Sequence, residues 1–220
     1  MTLRAASDRS LLVSFGSSVS PEAHREMARL TRALQGIRGI LNLHPAFISV
    51  LVDFDPRLRT MAEIEALVKE RMEPGGAAGE STASVETRLV EIPVRYGGED
   101  GPDLEDVARH AGLSPEGVVE LHSAAEYEVA FVGFSTCFPY LSGLPPALAT
   151  PRLGAPRKHV PAGSVAIGGT QAGLYPVASP GGWRLIGRTP LRLFDPQGEP
   201  PALLRMGDRV RFAPGAEVRP

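Results

Sequence analysis

HVPAGSVAIGGTQAGLYPVASPGGWRLIGRTPLRLFDP, residues 159–196, is the stretch that decides the fold, because short apolar segments alternate in it with Gly and Pro. Gly allows a positive φ and Pro presets φ, so the Gly and Pro positions predict turns and the apolar segments predict strands. Short strands at close, regular spacing favour an antiparallel barrel or sandwich over βαβ units. The predicted strands are Ser164–Ile167, Gly173–Val177, Trp183–Ile186 and Leu191–Phe194, and the predicted turns are Gly168-Gly169, Ser179-Pro180-Gly181-Gly182 and Thr189-Pro190.

The composition of the 220-residue chain indicates a globular protein. Its 23 Lys and Arg against 25 Asp and Glu give a net charge of −2, which argues against nucleic acid or acidic lipid as a partner. Apolar residues make up 43% of the chain, enough for a core, and the lack of any run of about 18 apolar residues predicts no membrane span. The single cysteine, Cys137, excludes an internal disulfide. Together with the absence of a signal-peptide pattern, it predicts a cytoplasmic location.

The N-terminal part of the chain predicts a small domain of strands and helices. Arg9–Phe15 predicts a strand, and Ser20-Pro21 predicts a helix start, because Ser caps helices and Pro suits the first helical turn. Ile40–Leu43 and Phe47–Phe54 predict a strand pair, and a second helix is predicted from about Thr60 to Met72. This βαββα order, with one more strand to come, indicates a ferredoxin-like sheet with two helices on one side.

Residues 73–84, EPGGAAGESTAS, carry no large apolar side chain and are predicted to be a linker. The sequence therefore divides into a first domain at 1–84, which includes the linker, and a second domain at 85–220. Asp103 and Ser114 are both suited to cap helices. The elements predicted before the opening stretch are a strand at Val85–Tyr96, helices at Asp103–Ala111 and Ser114–Leu121, a strand at Tyr127–Phe134 and a long loop at Ser135–Val160, and a closing strand is predicted near Gly207–Phe212.

Six sequence blocks of the second domain form a specific pattern. They are PVRYGGEDGPDLEDVA (93–108), HSAAEY (122–127), GFSTCFPYLSGLP (133–145), ATPRLGAPR (149–157), VPAGSVAIGGTQAGLYP (160–176) and SPGGWRLIGRTPLRLFDP (179–196). This pattern resembles the KipI family, which includes the B component of the bacterial ATP-dependent 5-oxoprolinase and the first-subunit region of allophanate hydrolase. One departure is Thr136-Cys137, where the family usually has Pro-Gly, so the loop lacks a fixed φ and a permissive residue.

The resemblance implies an α+β fold, with a ferredoxin-like N-terminal domain followed by a cyclophilin-like antiparallel β-barrel. It also implies a B component that works with a KipA-type C component and a LamB/YcsF-type A component to open 5-oxoproline to L-glutamate. The ring amide is resonance-stabilised and phosphorylation of its oxygen would activate it, so ATP and Mg²⁺ are implied for the complex. Two alternatives are a KipI-type inhibitor that binds a sensor histidine kinase and a component related to allophanate hydrolase.

Aromatic and hydrogen-bonding side chains are concentrated in the same stretch as the predicted strands, and a small-molecule cleft needs both kinds. Packing inside the barrel is the alternative role for the rings, and ion pairs at the surface or between subunits are the alternative for the arginines. No catalytic residue is predicted. His24, His44, His110 and His122 show no metal-ligand spacing with one another or with Cys137, so no metal site is expected. The candidate substrate-binding residues are Phe138, His159, Gln171, Tyr175, Trp183, Arg184, Arg188 and Thr189.

Overall fold

The chain divides into two compact units, Met1–Val85 and Glu86–Pro220. The computed structural model describes residues 1–18, 20–73 and 88–215. Apart from Glu73, the predicted linker at 73–84 lies outside the described residues, as does the predicted start of a strand at Val85. No helix in the three described ranges has both the length and the apolar character needed to cross a membrane.

The first unit is a four-stranded antiparallel sheet with two helices. Its elements are β1 (Thr2–Ser7), β2 (Ser10–Ser14), α1 (Pro21–Leu34), β3 (Ile40–Pro45), β4 (Ser49–Phe54) and α2 (Met61–Met72). The strand order across the sheet is β1-β2-β4-β3, and the elements from β2 onward confirm the predicted βαββα order. Strand β1 escapes prediction, because it lies at the sheet edge with mostly exposed side chains and so lacks an apolar alternation.

Both helices of the first unit begin at side-chain caps. Ser20 Oγ accepts a hydrogen bond from the Ala23 backbone N–H at 3.2 Å, and Thr60 forms a capping box with Glu63. The apolar faces of the helices and of the sheet pack together into one core. The buried residues of this core are Leu11, Val13, Met27, Leu30, Leu34, Val50, Val52, Phe54, Ile64, Leu67 and Val68.

The second unit is built around a closed barrel of seven strands, so the fold is α+β, as predicted. The chain order is β5 (Leu89–Tyr96), α3 (Leu104–Ala111), α4 (Pro115–Ala124), β6 (Tyr127–Gly133), β7 (Phe138–Ser142), a 3-10 helix (Pro146–Leu148), β8 (Arg157–Val160), β9 (Ser164–Gly168), β10 (Gln171–Leu174), β11 (Ser179–Gly181), β12 (Arg184–Arg188) and β13 (Arg209–Pro214). The strand order around the barrel is β10-β7-β6-β13-β5-β12-β9, and β9 pairs with β10 to close it.

The barrel is not wholly antiparallel, which corrects the prediction. Strand β13 runs parallel to β5, with Arg209 opposite Leu89 and Pro214 opposite Val94. Parallel neighbours need a long crossover, and all the elements between β5 and β13 supply it. The pair joins the first and last strands of the unit, and local sequence patterns carry no information about such a distant pairing.

Several segments of the second unit differ from their predictions, among them the strand predicted at Gly173–Val177, which is β10 at Gln171–Leu174. The loop predicted at Ser135–Val160 contains β7, the 3-10 helix and β8. The turn predicted at 179–182 contains β11, which pairs with β8 in a separate two-stranded sheet, where an edge position tolerates Pro180. In place of a strand at Leu191–Phe194, Phe194 forms an isolated bridge with Ala202, because flanking prolines interrupt regular pairing.

Asp103 fastens α3 to neighbouring strands rather than capping the helix. Its carboxylate accepts a hydrogen bond from the Leu185 backbone N–H at 2.7 Å and one from Arg157 Nη2 at 2.7 Å. Although Asp103 occupies the N-cap position, its side chain makes no capping hydrogen bond within residues 88–215, which corrects the predicted role. Asp103, at the start of helix α3, therefore connects the helix to β12 through Leu185 and to β8 through Arg157. In the sequence, β11 and Trp183 lie between these two strands.

Candidate binding site

A cavity of about 340 Å³ lies in the second unit beside a separate cluster of buried aromatic residues. Phe138, Tyr175 and Trp183 belong both to this cluster and to the cavity wall. The ring centroid of Phe138 lies 5.0 Å from that of Tyr175 and 5.4 Å from that of Trp183, both in edge-to-face geometry, which aromatic pairs prefer. The lining residues are Phe134, Phe138, Tyr140, Arg152, Leu153, Pro156, Tyr175, Pro180, Gly181, Gly182 and Trp183.

Glycines let the aromatic rings of the cavity wall come together. A Cβ placed on Gly173, in β10, would lie 2.7 Å from the Phe138 ring and 2.9 Å from the Trp183 ring. A Cβ on Gly181, in β11, would collide with the Tyr175 hydroxyl. Both positions therefore require the absence of a side chain, and the Gly-rich pattern of the opening stretch serves ring packing as well as turns.

Arg152 supplies the positive charge of the cavity. Its guanidinium carbon lies 5.3 Å from the centroid of the Trp183 ring, within the range of a cation–π interaction. Burial raises the pKa of Tyr175 above its usual value, while a hydrogen bond from the Trp183 backbone and the charge of Arg152 partly oppose this shift. Burial likewise raises the pKa of Tyr140, again with partial opposition from Arg152. Both phenols are therefore protonated at neutral pH.

Three of the sequence-predicted residues, Phe138, Tyr175 and Trp183, meet at this cavity. Five others, within the described range 88–215, lie outside its lining. Gln171 is half-buried on β10 opposite Gly168, and His159 is exposed on β8. Thr189 is buried, and its hydroxyl accepts a hydrogen bond from the Leu191 backbone at 3.2 Å.

The two arginines among the candidate substrate-binding residues are bound to groups of the protein itself. Arg184 Nε donates to the Pro151 carbonyl at 3.2 Å, and Arg184 Nη1 donates to Asp106 at 3.2 Å. Arg188 Nε donates to the Ala162 carbonyl at 3.0 Å, and its Nη1 lies 3.9 Å from Asp100. Both side chains therefore contribute to the structure around β12, and their role in substrate binding stays a prediction.

Sequence reasoning misses Phe134, Tyr140 and Arg152 as cavity residues. Because the sequence predicts one loop over Ser135–Val160, it does not indicate that Tyr140 lies on the same strand as Phe138 and lines the same cavity. The ATPRLGAPR block that contains Arg152 is part of the family pattern, which is the one available signal. That signal does not distinguish Arg152 from Arg157, which is held by Asp103.

The loop with Thr136-Cys137 keeps a backbone conformation suited to the glycine that the family usually has there. Cys137 has φ 58°, in the left-handed region, which costs a side-chain-bearing residue about 1–2 kcal/mol. We therefore expect Cys137→Gly to raise the free energy of unfolding by about 0.5–1 kcal/mol, since the greater freedom of Gly in the unfolded chain offsets part of the relief. Urea denaturation followed by Trp183 fluorescence measures it.

Cys137→Ala is the matched control for this prediction, because it removes the thiol and keeps the Cβ atom that disfavours a positive φ. It is expected to leave the left-handed strain in place. If Cys137→Gly and Cys137→Ala unfold at the same urea concentration with the same slope, left-handed strain at Cys137 is refuted.

The lining of the cavity does not fit Mg²⁺–ATP. No group of three or more His, Cys, Asp or Glu side chains in residues 1–18, 20–73 and 88–215 is placed to hold a metal ion. Magnesium requires oxygen ligands, and the cavity lining contains Arg152 and no carboxylate. No step through the nucleotide is therefore assigned to residues of this chain.

A family model for the carboxyltransferase domain, subdomain C and D, matches residues 1–204. The chain belongs to this family. It is similar to the 5-oxoprolinase B subunit of Escherichia coli O157:H7, with 46% identity over 205 residues, covering 90% of this chain and 89% of that relative. It is also similar to the 5-oxoprolinase B subunit of Bacillus subtilis (strain 168), with 41% identity over 220 residues, covering 93% of this chain and 89% of that relative. The resemblance stated from the sequence blocks is thereby confirmed.

Among solved structures, the chain is similar to TTHA0988, with 41% identity and a TM-score of 0.81. The alignment covers 96% of this chain and 41% of that chain, so this chain spans about two fifths of the solved protein's length. A more distant similarity is to the urea amidolyase of Lachancea kluyveri, with 28% identity, covering 99% of this chain and 13% of that protein.

Proposed function

We propose that this chain is the B component of a cytoplasmic, ATP-dependent 5-oxoprolinase that opens 5-oxoproline to L-glutamate. The observation that carries this proposal is the 46% and 41% identity to two proteins named as B subunits of 5-oxoprolinase, each aligned over most of both chains. The cavity supports it, since a small space lined by aromatic rings and one guanidinium suits a small cyclic acid.

The proposed component works with a KipA-type C component and a LamB/YcsF-type A component. ATP and Mg²⁺ act at the level of that complex, where phosphorylation would activate the ring amide. Within this proposal the first unit is ferredoxin-like and the barrel is cyclophilin-like. Phe138, Tyr175 and Trp183 are the members of the predicted substrate-binding set that contact the ligand, because they line one cavity.

Reconstitution tests the proposed activity directly. When the chain is co-purified with the KipA-type and LamB/YcsF-type components of the same organism, we expect ATP-dependent release of glutamate from 5-oxoproline, measured as glutamate formed over time. A preparation of those two components without this chain is the matched control and is expected to show no turnover. A folded three-component complex that releases no glutamate with ATP and Mg²⁺ present would contradict the proposal.

A component related to allophanate hydrolase is the second candidate, and the 28% identity to a urea amidolyase favours it. Both reactions cleave a carbon–nitrogen bond next to a carbonyl group, so the cavity alone does not separate them. The same reconstituted complex, supplied with allophanate in place of 5-oxoproline, distinguishes the two. Ammonia release from allophanate without glutamate release from 5-oxoproline would favour the second candidate.

A further inference from the structure

We propose that the cavity beside Trp183 binds a small cyclic monocarboxylate, with Arg152 as the counter-ion of its carboxylate and the aromatic wall in contact with its ring. This inference rests on the proposed function for the choice of 5-oxoproline as the probe. The binding site itself is argued from the charge, the lining and the size of the cavity.

The charge of Arg152 is available to a ligand. Within residues 1–18, 20–73 and 88–215, its guanidinium makes no ion pair with a carboxylate, and it lies over the Trp183 ring. Nearby arginines behave differently, since Arg157 binds Asp103 at 2.7 Å and Arg184 binds Asp106 at 3.2 Å. A guanidinium matches a carboxylate with two parallel hydrogen bonds, so an uncompensated arginine on a cavity wall favours an anionic ligand.

The size and the aromatic side chains of the lining favour a small ligand with a ring. A volume of about 340 Å³ lies near the lower end of the range for small-molecule sites. Phe138 and Trp183 line the cavity and can contact a small ring, and the protonated Tyr175 hydroxyl can donate a hydrogen bond to a carbonyl or carboxylate oxygen. A larger or multiply charged ligand, such as a nucleotide, lacks a matching set of cations on this wall.

The position of Arg152 next to Trp183 allows the cavity to contact the carboxylate and the ring of one ligand at the same time. Its guanidinium lies 5.3 Å from the centroid of the Trp183 ring, so a carboxylate bound by Arg152 lies beside the indole. A ring attached to that carboxylate then reaches the aromatic wall. Acetate lacks the ring and 2-pyrrolidone lacks the carboxylate, so each of these compounds removes one half of the proposed recognition.

Trp183 is the only tryptophan of the chain, and its fluorescence therefore reports on this cavity alone. We expect 5-oxoproline to change the fluorescence of the purified full chain saturably. 2-Pyrrolidone and acetate are each expected to bind about tenfold or more weakly, since each lacks one set of contacts. Arg152→Ala is expected to weaken 5-oxoproline binding by about tenfold or more and leave 2-pyrrolidone binding unchanged, and Arg152→Lys to restore part of the loss.

Arg192→Ala is the matched control, because Arg192 is an exposed arginine that pairs with Asp195 and lies outside the cavity lining. It is expected to bind 5-oxoproline as the wild type does. The proposal is overturned if 5-oxoproline causes no saturable change in the wild type, or if 2-pyrrolidone binds as tightly. Both of these outcomes are measured on the wild-type chain, so neither depends on whether a variant folds. The binding test does not depend on turnover, so the two proposals can fail separately. If the chain does not bind 5-oxoproline in this way but its reconstituted complex still releases glutamate, the carboxylate site is overturned and the proposed function is retained.

Discussion

Replacement of Gly163 by Ala is expected to lower the free energy of unfolding of the second unit by about 3 kcal/mol or more. Gly163 precedes β9 and has φ 83°, a conformation that disfavours any residue with a Cβ atom. A Cβ at this position would also collide with the backbone carbonyl oxygen of Thr189. Because that oxygen belongs to the backbone, the clash cannot be relieved by the rotation of a side chain.

The surroundings of Gly163 make a backbone shift costly. Its N–H donates to the Tyr175 carbonyl at 2.7 Å, and its carbonyl accepts from the Thr189 N–H at 2.9 Å. These bonds join the turn before β9 to the ends of β10 and β12, so movement at Gly163 would disturb Tyr175 and with it the cavity wall. The loss is measured by urea denaturation with Trp183 fluorescence as the signal.

Gly169→Ala is the control that separates backbone strain from collision. Gly169 has φ 66°, and a Cβ there would meet no atom within 4 Å. The Gly169→Ala variant is expected to have a free energy of unfolding about 1 kcal/mol lower than the wild type, because only the left-handed conformation disfavours its Cβ atom. If both alanine variants lose the same stability, the proposed collision with the Thr189 carbonyl is wrong.

The sequence best predicts helices and strands whose first and last residues are determined by residues adjacent in the sequence. The helix α1 begins where Ser20 and Pro21 place it, and β9 lies between glycines. The parallel pairing of β13 with β5 escapes prediction, because it depends on where two distant segments meet in space. Strand β11 also escapes, since Ser179-Pro180-Gly181 has the composition of a turn and becomes a strand only by pairing with β8.

The same distinction applies to the candidate site. Trp183 and Tyr175 are found from the sequence because aromatic and hydrogen-bonding side chains are concentrated in the stretch of predicted strands, and both residues do line a cavity. Arg184, Arg188 and Arg152 are indistinguishable as sequence letters. Only their neighbours in space separate them, since Arg184 is held by Asp106 while Arg152 lies over a tryptophan ring. Whether an arginine's charge is available to a ligand therefore depends on the fold around the side chain and not on a sequence motif.

His122 is a fully buried titratable group of the second unit, and it makes the stability of that unit depend on pH. Its Nδ1 lies 2.8 Å from the Tyr96 hydroxyl, and its ring packs 4.5 Å from that of Phe212. Within the described residues, its Nε2 has no hydrogen-bond partner. Burial lowers the pKa of His122 to about 3, so the imidazole is neutral in the folded protein at any pH well above that value.

The sign of the effect follows from proton linkage. The unfolded chain binds a proton at His122 near its ordinary pKa of about 6.5, whereas the folded chain does not bind it until the pH approaches about 3. Between these values the unfolded state holds more protons, so stability is full above about pH 6.5 and falls as the pH decreases toward 3. The slope is up to about 1.4 kcal/mol per pH unit.

Between pH 7.5 and pH 5 we therefore expect the wild-type second unit to lose about 2 kcal/mol through His122 alone. His122→Gln keeps a polar side chain near Tyr96 and cannot titrate, so the variant should be less stable at pH 7.5 and lack this part of the pH dependence. The control is His159→Gln, an exposed histidine of the same unit, which should keep the wild-type slope. Urea denaturation with Trp183 fluorescence at each pH measures all three proteins. An equal decrease in stability for the wild type and His122→Gln would show that His122 is not buried in its neutral form, and the packing of Phe212 and Tyr96 around it would then need another description.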